Sequence, residues 1–342
     1  MHRSEITIDL GALRRNVRHL LAVLGGPELY AVVKADAYGH GAAQAASAAL
    51  GAGASAVCVA TVGEALPLRQ EHPDARIIVM GPAGTSREVA RARDARLELV
   101  IADGDVEVPE GIAVHLKLDT GMGRWGMERL GQLPSNVIGL MTHLATADSD
   151  LRFAEWQLER FRQLTDGYPS LIRHAANSAA ALRIPAARFD AARCGLALYG
   201  LSPFGEDPAL DGLEPVLHWT SHLAQVKQLP AGYSTGYNRR FIAPEPTWVG
   251  IVPVGYADGF RRNLTGTEVR VAGELRPVVG TVSMDAFAVQ LDRQLPVGTP
   301  VTIVGHGVPL ESHARVAGTI TYELACGLNT RPERARRTVV HS

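Results

Sequence analysis

The stretch Ala31-Val32-Val33-Lys34-Ala35-Asp36-Ala37-Tyr38-Gly39-His40-Gly41 is an apolar run that ends on a lysine and gives way to a loop of small residues. Taken as 29–33, the run has the near-continuous apolar character of a strand buried on both faces. Working outward, the pattern recurs at 56–60, 77–80, 97–101, 113–118, 137–142, 171–174 and 191–198, with helix-like stretches between most of them. Leu13, Val17 and Leu20 share one face of such a stretch, and Phe153, Trp156, Leu158 and Phe161 share another more loosely. Ser86 reads as a helix start before 87–96. Eight strands alternating with helices over about 200 residues specify an α/β fold whose first part is a (β/α)₈ barrel. An open doubly wound sheet is the alternative, but no G-x-G-x-x-G follows the first strand.

After Pro203 the texture changes. Segments 222–229, 247–254, 268–271, 276–282, 286–291 and 300–304 are short, β-branched and separated by Gly, Pro and Asp turns. The expected division is a barrel over 11–219 followed by a mainly-β C-terminal domain over 220–342, with the opening 1–10 segment able to join either part. The arginines of 331–337 are few and interrupted by Glu333, which reads as a solvated tail rather than a nucleic-acid arm.

Composition excludes several classes. Hydrophobic residues make up 46% of the 342 and charged residues 20%, enough to bury a sizeable core. Lys+Arg is 34 against 35 Asp+Glu, which argues against nucleic acid or an anionic membrane as partner. No apolar run approaches the roughly 18 residues of a membrane helix. The opening MHRSEITIDL lacks the features of a signal peptide, so a cytoplasmic location is expected. Cys58, Cys194 and Cys326 are too few and too scattered for a disulfide framework and read as buried small hydrophobes. The 34 basic residues comprise 31 arginines and only Lys34, Lys117 and Lys227. Of the two side chains only the amine forms a Schiff base or carbamate, so each lysine is a candidate for chemistry.

The active site of a barrel is built where its strands end, at the C-terminal face. Lys34, Arg124, His143, Asn177, Ser178, Arg193, Gly195 and Tyr199 all fall at or just beyond such ends. No compact His/Cys/Asp/Glu set accompanies them, and His218 and His222 lie in a β-like segment with no third ligand, so no metal is expected. A strand-end lysine beside small residues suited to an anion fits either a Schiff-base aldolase or a pyridoxal phosphate enzyme.

The 31–41 stretch resembles the cofactor-lysine motif of the alanine racemase family. The likeness continues through 117–124, 141–148 (Met-Thr-His-Leu-Ala-Thr-Ala-Asp), 174–178 (His-Ala-Ala-Asn-Ser) and 193–200 (Arg-Cys-Gly-Leu-Ala-Leu-Tyr-Gly). In the second part it includes Val254-Gly255-Tyr256-Ala257-Asp258-Gly259, Ser283-Met284-Asp285 and Tyr322-Glu323. The resemblance implies a racemase using pyridoxal 5'-phosphate, working on alanine as a head-to-tail homodimer whose sites are completed by the partner. Lys34 would carry the cofactor as a Schiff base and act on one face of the substrate Cα, and Tyr256 of the other subunit would act on the opposite face. A proton leaves one face and another arrives on the other, so two acid/base groups suffice. A tyrosine, with a reference pKa near 10, needs positive charge nearby, for which His143 and Arg193 are the candidates.

The resemblance further places Arg193 at the pyridine nitrogen, which an always-charged guanidinium leaves unprotonated. Tyr38, Ser178, Tyr322 and the backbone of Gly195 and Leu196 would hold the phosphate, with Asn177 beside them in a positional role. Arg124 would bind the cofactor's phenolic oxygen or the substrate carboxylate, and the N–H of Met284 of the partner subunit would help with that carboxylate. Lys117 occupies a position carbamylated in some members, and an ordinary amine there is the other reading. Tyr199, His40 and His115 read as structural, and Lys227 as a solvated lysine.

The chain departs from the family pattern at Phe260-Arg261-Arg262, at Ala286 and over 233–237, which bears on substrate access. The alternatives are a racemase of serine or of broad specificity, and a protein that binds pyridoxal phosphate without turnover. A related decarboxylase would carry an acidic group where Arg193 stands.

Overall fold

The computed structural model describes residues 2–82, 85–103 and 108–342. They form two compact units, one of 13–204 with Ala209–Glu214, the other of 2–12, Gly205–Pro208 and Pro215–Ser342. In chain order the first strands are β1 (Glu5–Asp9), β2 (Glu28–Val32), β3 (Ala56–Val59), β4 (Arg76–Val79), β5 (Glu98–Ile101), β6 (Val114–Lys117), β7 (Val137–Met141), β8 (Ile172–His174) and β9 (Ala191–Cys194). There follow β10 (Leu217–His222), β11 (Gln225–Leu229), β12 (Ser234–Thr235), β13 (Phe241–Ile242), β14 (Thr247–Val252), β15 (Glu268–Val271), β16 (Glu274–Val279), β17 (Phe287–Leu291), β18 (Pro300–Val304) and β19 (Arg336–Val340).

Strands β2 to β9 are parallel in the order β8-β7-β6-β5-β4-β3-β2-β9, a nearly closed eight-stranded barrel. The Asp190 N–H donates to Arg173 O and the Arg193 N–H to Ala176 O, drawing β9 toward β8. Ala56–Val59, Glu98–Ile101 and Ala191–Cys194 are buried along their whole length, as expected of strands covered on both faces. The helix Leu10–Leu24 turns Leu13, Val17 and Leu20 inward. It begins where the Asp9 carboxylate accepts the N–H groups of Gly11 and Ala12.

In the second unit β11-β14-β17-β16-β15-β18-β10-β1-β19 form one sheet, and β12 pairs with β13. Only the β1–β19 pair is parallel. The fold is thus a (β/α)₈ barrel followed by a mainly-β domain. Phe260, at one of the family departures, is fully buried and stacks on Phe287 with centroids 4.3 Å apart.

Several local readings need correction. The 191–198 run is strand only to Cys194, because the Gly195 N–H donates to Ser178 Oγ and the chain turns into the short helix Leu196–Tyr199. The 222–229 run is split at Leu223, where the chain passes from pairing with β18 to pairing with β14. The helix Ser86–Asp94 is capped by Thr85, whose side chain accepts the Glu88 N–H, so the start lies one residue earlier. Trp156 is half exposed rather than sharing a core face with Leu158 and Phe161: it stacks on Phe153, and both rings lie against Gly121. The 331–337 stretch is not simply a tail, since its last residues open β19. Cys58 and Cys194 are buried, but Cys326 is exposed.

Candidate active site

The barrel residues singled out as candidate cofactor or substrate ligands lie at or just beyond the C-terminal ends of the strands, while His115 sits inside β6. Lys34 follows β2 and opens a turn in which Ala35, Asp36, Ala37 and Tyr38 all have φ between 51 and 55°. This is a left-handed turn built without glycine, a conformation that costs L-residues roughly 1–2 kcal/mol each. It persists because its amides and carboxylate are held from outside. Glu64 accepts the Ala35 N–H at 2.9 Å and the Ala60 N–H at 2.7 Å, and Asp36 accepts the Ala42 N–H at 2.7 Å. His40 Nδ1 donates toward the carbonyls of Ala37 and Tyr38.

The turn delivers the Tyr38 ring beneath Gly195. A Cβ at Gly195 would lie 2.4 Å from Tyr38 Oη, so only glycine admits the phenol there. Ser178 Oγ accepts the N–H groups of Gly195 and Ala197, and Asn177 Oδ1 caps the helix Ser178–Arg183 by accepting the Ala180 N–H. The Tyr38 and Ser178 hydroxyls and the Leu196 amide form a donor set suited to a phosphate, while the Gly195 N–H, expected in that set, is given to Ser178 Oγ. Tyr199 is fully buried, donates to Val32 O and stacks on His40, a packing role.

Arg193 is 4% exposed and finds no carboxylate within its hydrogen bonds among the described residues. Its guanidinium donates to the carbonyls of His174, Thr142 and Ala175, to His174 Nδ1 at 3.0 Å and to His143 Nδ1 at 3.4 Å. Burial pushes it down to about 10, still charged at working pH. His143, by contrast, is held neutral: burial, then Arg193, Lys117, Arg124 and Lys34 push it down to about 3. The expectation that His143 supplies positive charge is therefore corrected; it offers Arg193 a lone pair instead.

Lys117 is 5% exposed, and burial followed by Arg124, Arg193 and Lys34 outweighs Asp119 and brings its amine down to about 8. Asp119 accepts the N–H groups of Gly121 and Gly123 and so folds the loop that presents Arg124. The Trp125 ring has the Lys117 Nζ at 5.5 Å and the Arg124 guanidinium at 5.4 Å from its centroid. Lys34, Lys117, Arg124 and Arg193 thus concentrate positive charge at one end of the barrel, a field suited to an anionic cofactor and a carboxylate. Among the described residues no three His, Cys, Asp or Glu side chains are grouped to hold a metal.

Behind Arg193 runs a relay that sequence reasoning did not assemble. His174 Nε2 lies 2.9 Å from His115 Nδ1, and His115 Nε2 lies 2.9 Å from Glu98 Oε2. Arg76 closes on the same carboxylate and on Glu28. Burial opposes ionisation of Glu98, but the His115 and Arg76 hydrogen bonds win and hold its carboxyl at about 2. With a permanent donor at one end and an acceptor at the other, each imidazole carries its proton on Nε2.

The remaining predicted residues lie in the β unit. Tyr256 and Met284 are 42% and 52% exposed, and their loops are joined by Tyr256 N–H to Ser283 O and Ala257 N–H to Met284 O. Tyr322 is half-buried on the helix Thr321–Cys326.

Comparison with known proteins accounts for both units. Residues 8–203 match the family model described as alanine racemase, N-terminal domain, and 216–336 the one described as alanine racemase, C-terminal domain. The alanine racemase of Lactiplantibacillus plantarum is 38% identical with 97% of each chain covered, and alanine racemase 1 of Bacillus subtilis is 39% identical over 96% of this chain and 91% of that one. The crystal structure of biosynthetic alanine racemase from Pseudomonas aeruginosa superposes over the whole of both chains with a TM-score of 0.92 at 36% identity. By sequence and by fold, the chain belongs to the alanine racemase family.

Proposed function

We propose that the protein is a pyridoxal-5'-phosphate-dependent isomerase that interconverts L-alanine and D-alanine, acts as a homodimer in the cytoplasm and supplies D-alanine for peptidoglycan. The observation that carries the reading is an amine at the end of β2, Lys34, in a cationic pocket with a buried arginine, Arg193, that takes only neutral acceptors. Family membership and the names of the relatives support the substrate. No helix among the described residues is long and apolar enough to cross a membrane.

When bound, the cofactor supplies an electron sink for the Cα carbanion. The chain's own residues do the rest. Lys34 would hold the cofactor through its amine and would take or return a proton at one face of the substrate Cα. Tyr256 of the partner subunit moves a proton at the opposite face. Ser178, Tyr38 and the Leu196 amide would hold the phosphate, with Asn177 fixing Ser178 at its helix start and Ser178 bonded to the Gly195 N–H, and the family resemblance adds Tyr322. Arg193 would face the ring nitrogen and, with a charge it does not give up, would leave that nitrogen unprotonated. His143 holds Arg193 in line. Arg124 and the N–H of Met284 of the partner subunit would orient the substrate carboxylate, and Lys117, as a carbamate, would hold Arg124 by a charge-assisted bond.

The test is absorbance of the purified protein in the visible edge region, together with Cα-proton exchange of L-alanine in D₂O. The expected result is a cofactor band, exchange and D-alanine formation, all lost in Lys34→Ala. A band without exchange on alanine would move the protein to another amino acid or to binding alone. No band after incubation with pyridoxal phosphate would refute the cofactor.

A further inference from the structure

The loops that present Tyr256 and Met284 rest on four charges. Asp258 is 1% exposed, accepts the Gly255 N–H at 2.8 Å, and pairs with Arg3 at 2.9 Å and Arg334 at 3.4 Å. Asp285, directly after Met284, takes Arg334 at 2.7 Å and Arg3 at 3.4 Å, and its backbone carbonyl accepts from Arg3 at 2.9 Å. Each arginine therefore touches both loops. The loops are pressed together where they meet: a Cβ on Gly255 would lie 2.3 Å from Ser283 O and 2.4 Å from Met284 O.

Sheet register explains how two residues more than 300 positions apart arrive side by side. Strands β1 and β19 run parallel with Glu5 opposite Arg336, and Arg3 and Arg334 each stand two residues before that pair. The Arg336 N–H donates to Ser4 O, and Ser221 Oγ donates to Arg3 O, fixing the backbone on both sides. Because β1–β19 is the one parallel pair of its sheet, both side chains leave at the same end.

We propose that Arg3 and Arg334 are positioning residues for the reaction, clamping Asp258 and Asp285 so that the Tyr256 phenol and the Met284 N–H keep a fixed spacing. The inference rests on the reading of Tyr256 as one of the two proton-transfer groups and of Met284 as a carboxylate ligand. Neither arginine touches the substrate. A misplacement of about 1 Å far from the chemistry can cost on the order of a hundredfold in rate.

The test is Arg3→Met and Arg334→Met in the cofactor-loaded enzyme, with primary deuterium isotope effects measured on α-deuterated L- and D-alanine separately. We expect kcat to fall about ten- to a hundredfold and KM for alanine to rise. The isotope effect should increase for the enantiomer whose proton goes to the phenol and not for the one whose proton goes to Lys34. Arg3→Lys should recover part of the loss. Should either methionine variant fold poorly, Asp285→Asn, at an exposed carboxylate that both arginines share, must give the same one-sided signature. Isotope effects that shift equally for both enantiomers, or stay put while only the melting temperature falls, would overturn the clamp. Tyr256→Phe separates the two claims, since it should abolish α-proton washout from one enantiomer and spare the other. If it spares both, the Tyr256 reading fails and the clamp with it; if it is one-sided while the arginine variants are symmetric, only the clamp fails.

Discussion

Lys117 makes a poor ammonium. Its amine is buried among Arg124, Arg193 and Lys34, and its value in the folded chain falls to about 8 against 10.5 in the absence of those surroundings. The folded value lies below the unfolded one, so the unfolded chain binds the proton more tightly and the folded state loses stability as pH falls through 8. Above about pH 10.5 the amine is neutral in both states and the penalty vanishes. Lys117→Met in CO₂-free buffer should therefore stabilise the protein by about 1–3 kcal/mol at pH 7, and the gain should shrink toward zero above pH 10. Chemical denaturation across that range measures it, and a gain that does not change with pH would contradict the account. Carbamylation would reverse the sign of the charge at this position, and ¹³C-bicarbonate NMR distinguishes that case. The lysine was easy to single out because only three are present. The relay behind Arg193 was not, because Glu98, His115 and His174 sit inside strands and each reads alone as an isolated buried polar group. Gly139, in the middle of a strand, was the available clue: a Cβ there would lie 2.1 Å from His115 Nδ1.

At the scale of elements, the barrel strands were legible because burial on both faces leaves near-continuous apolar runs. The left-handed turn after Lys34 was not, since Ala-Asp-Ala-Tyr contains none of the glycine that ordinarily marks positive φ. The information lies in Glu64 and His40, which secure the turn from outside its four residues. Strand β19 was hidden for a related reason: arginine-rich and short, it is a strand only because β1 offers a register for it. The strain in the turn is measurable. Ala35 is exposed with φ 53°, so Ala35→Gly relieves a steric cost without leaving a cavity. It should stabilise the cofactor-free protein by about 0.5–1 kcal/mol despite the added freedom of the unfolded chain. A urea titration showing Ala35→Gly to be destabilising would mean the turn is not held against its own preference.

For the whole molecule the decisive question is whether one chain suffices for one site. Tyr256 and Met284 leave large apolar side chains about half exposed, beside loops that are otherwise firmly bonded to one another. Burying such groups against a second copy would recover apolar surface and place the phenol in a neighbouring barrel. Mixing two inactive variants tests this directly. In a dimer formed by Lys34→Ala with Tyr256→Phe, one site combines both substitutions and the other combines an intact Lys34 with an intact Tyr256. At equal amounts with free exchange, half the dimers are mixed and each has one good site, so activity should recover to about a quarter of the unmodified enzyme. Were each site built from one chain, every site in the mixture would lack either the amine or the phenol, and no activity would return. Recovery that depends on unfolding and refolding the subunits together would show in addition that the dimer does not exchange once formed. Recovery on simple mixing would show that the subunits exchange freely.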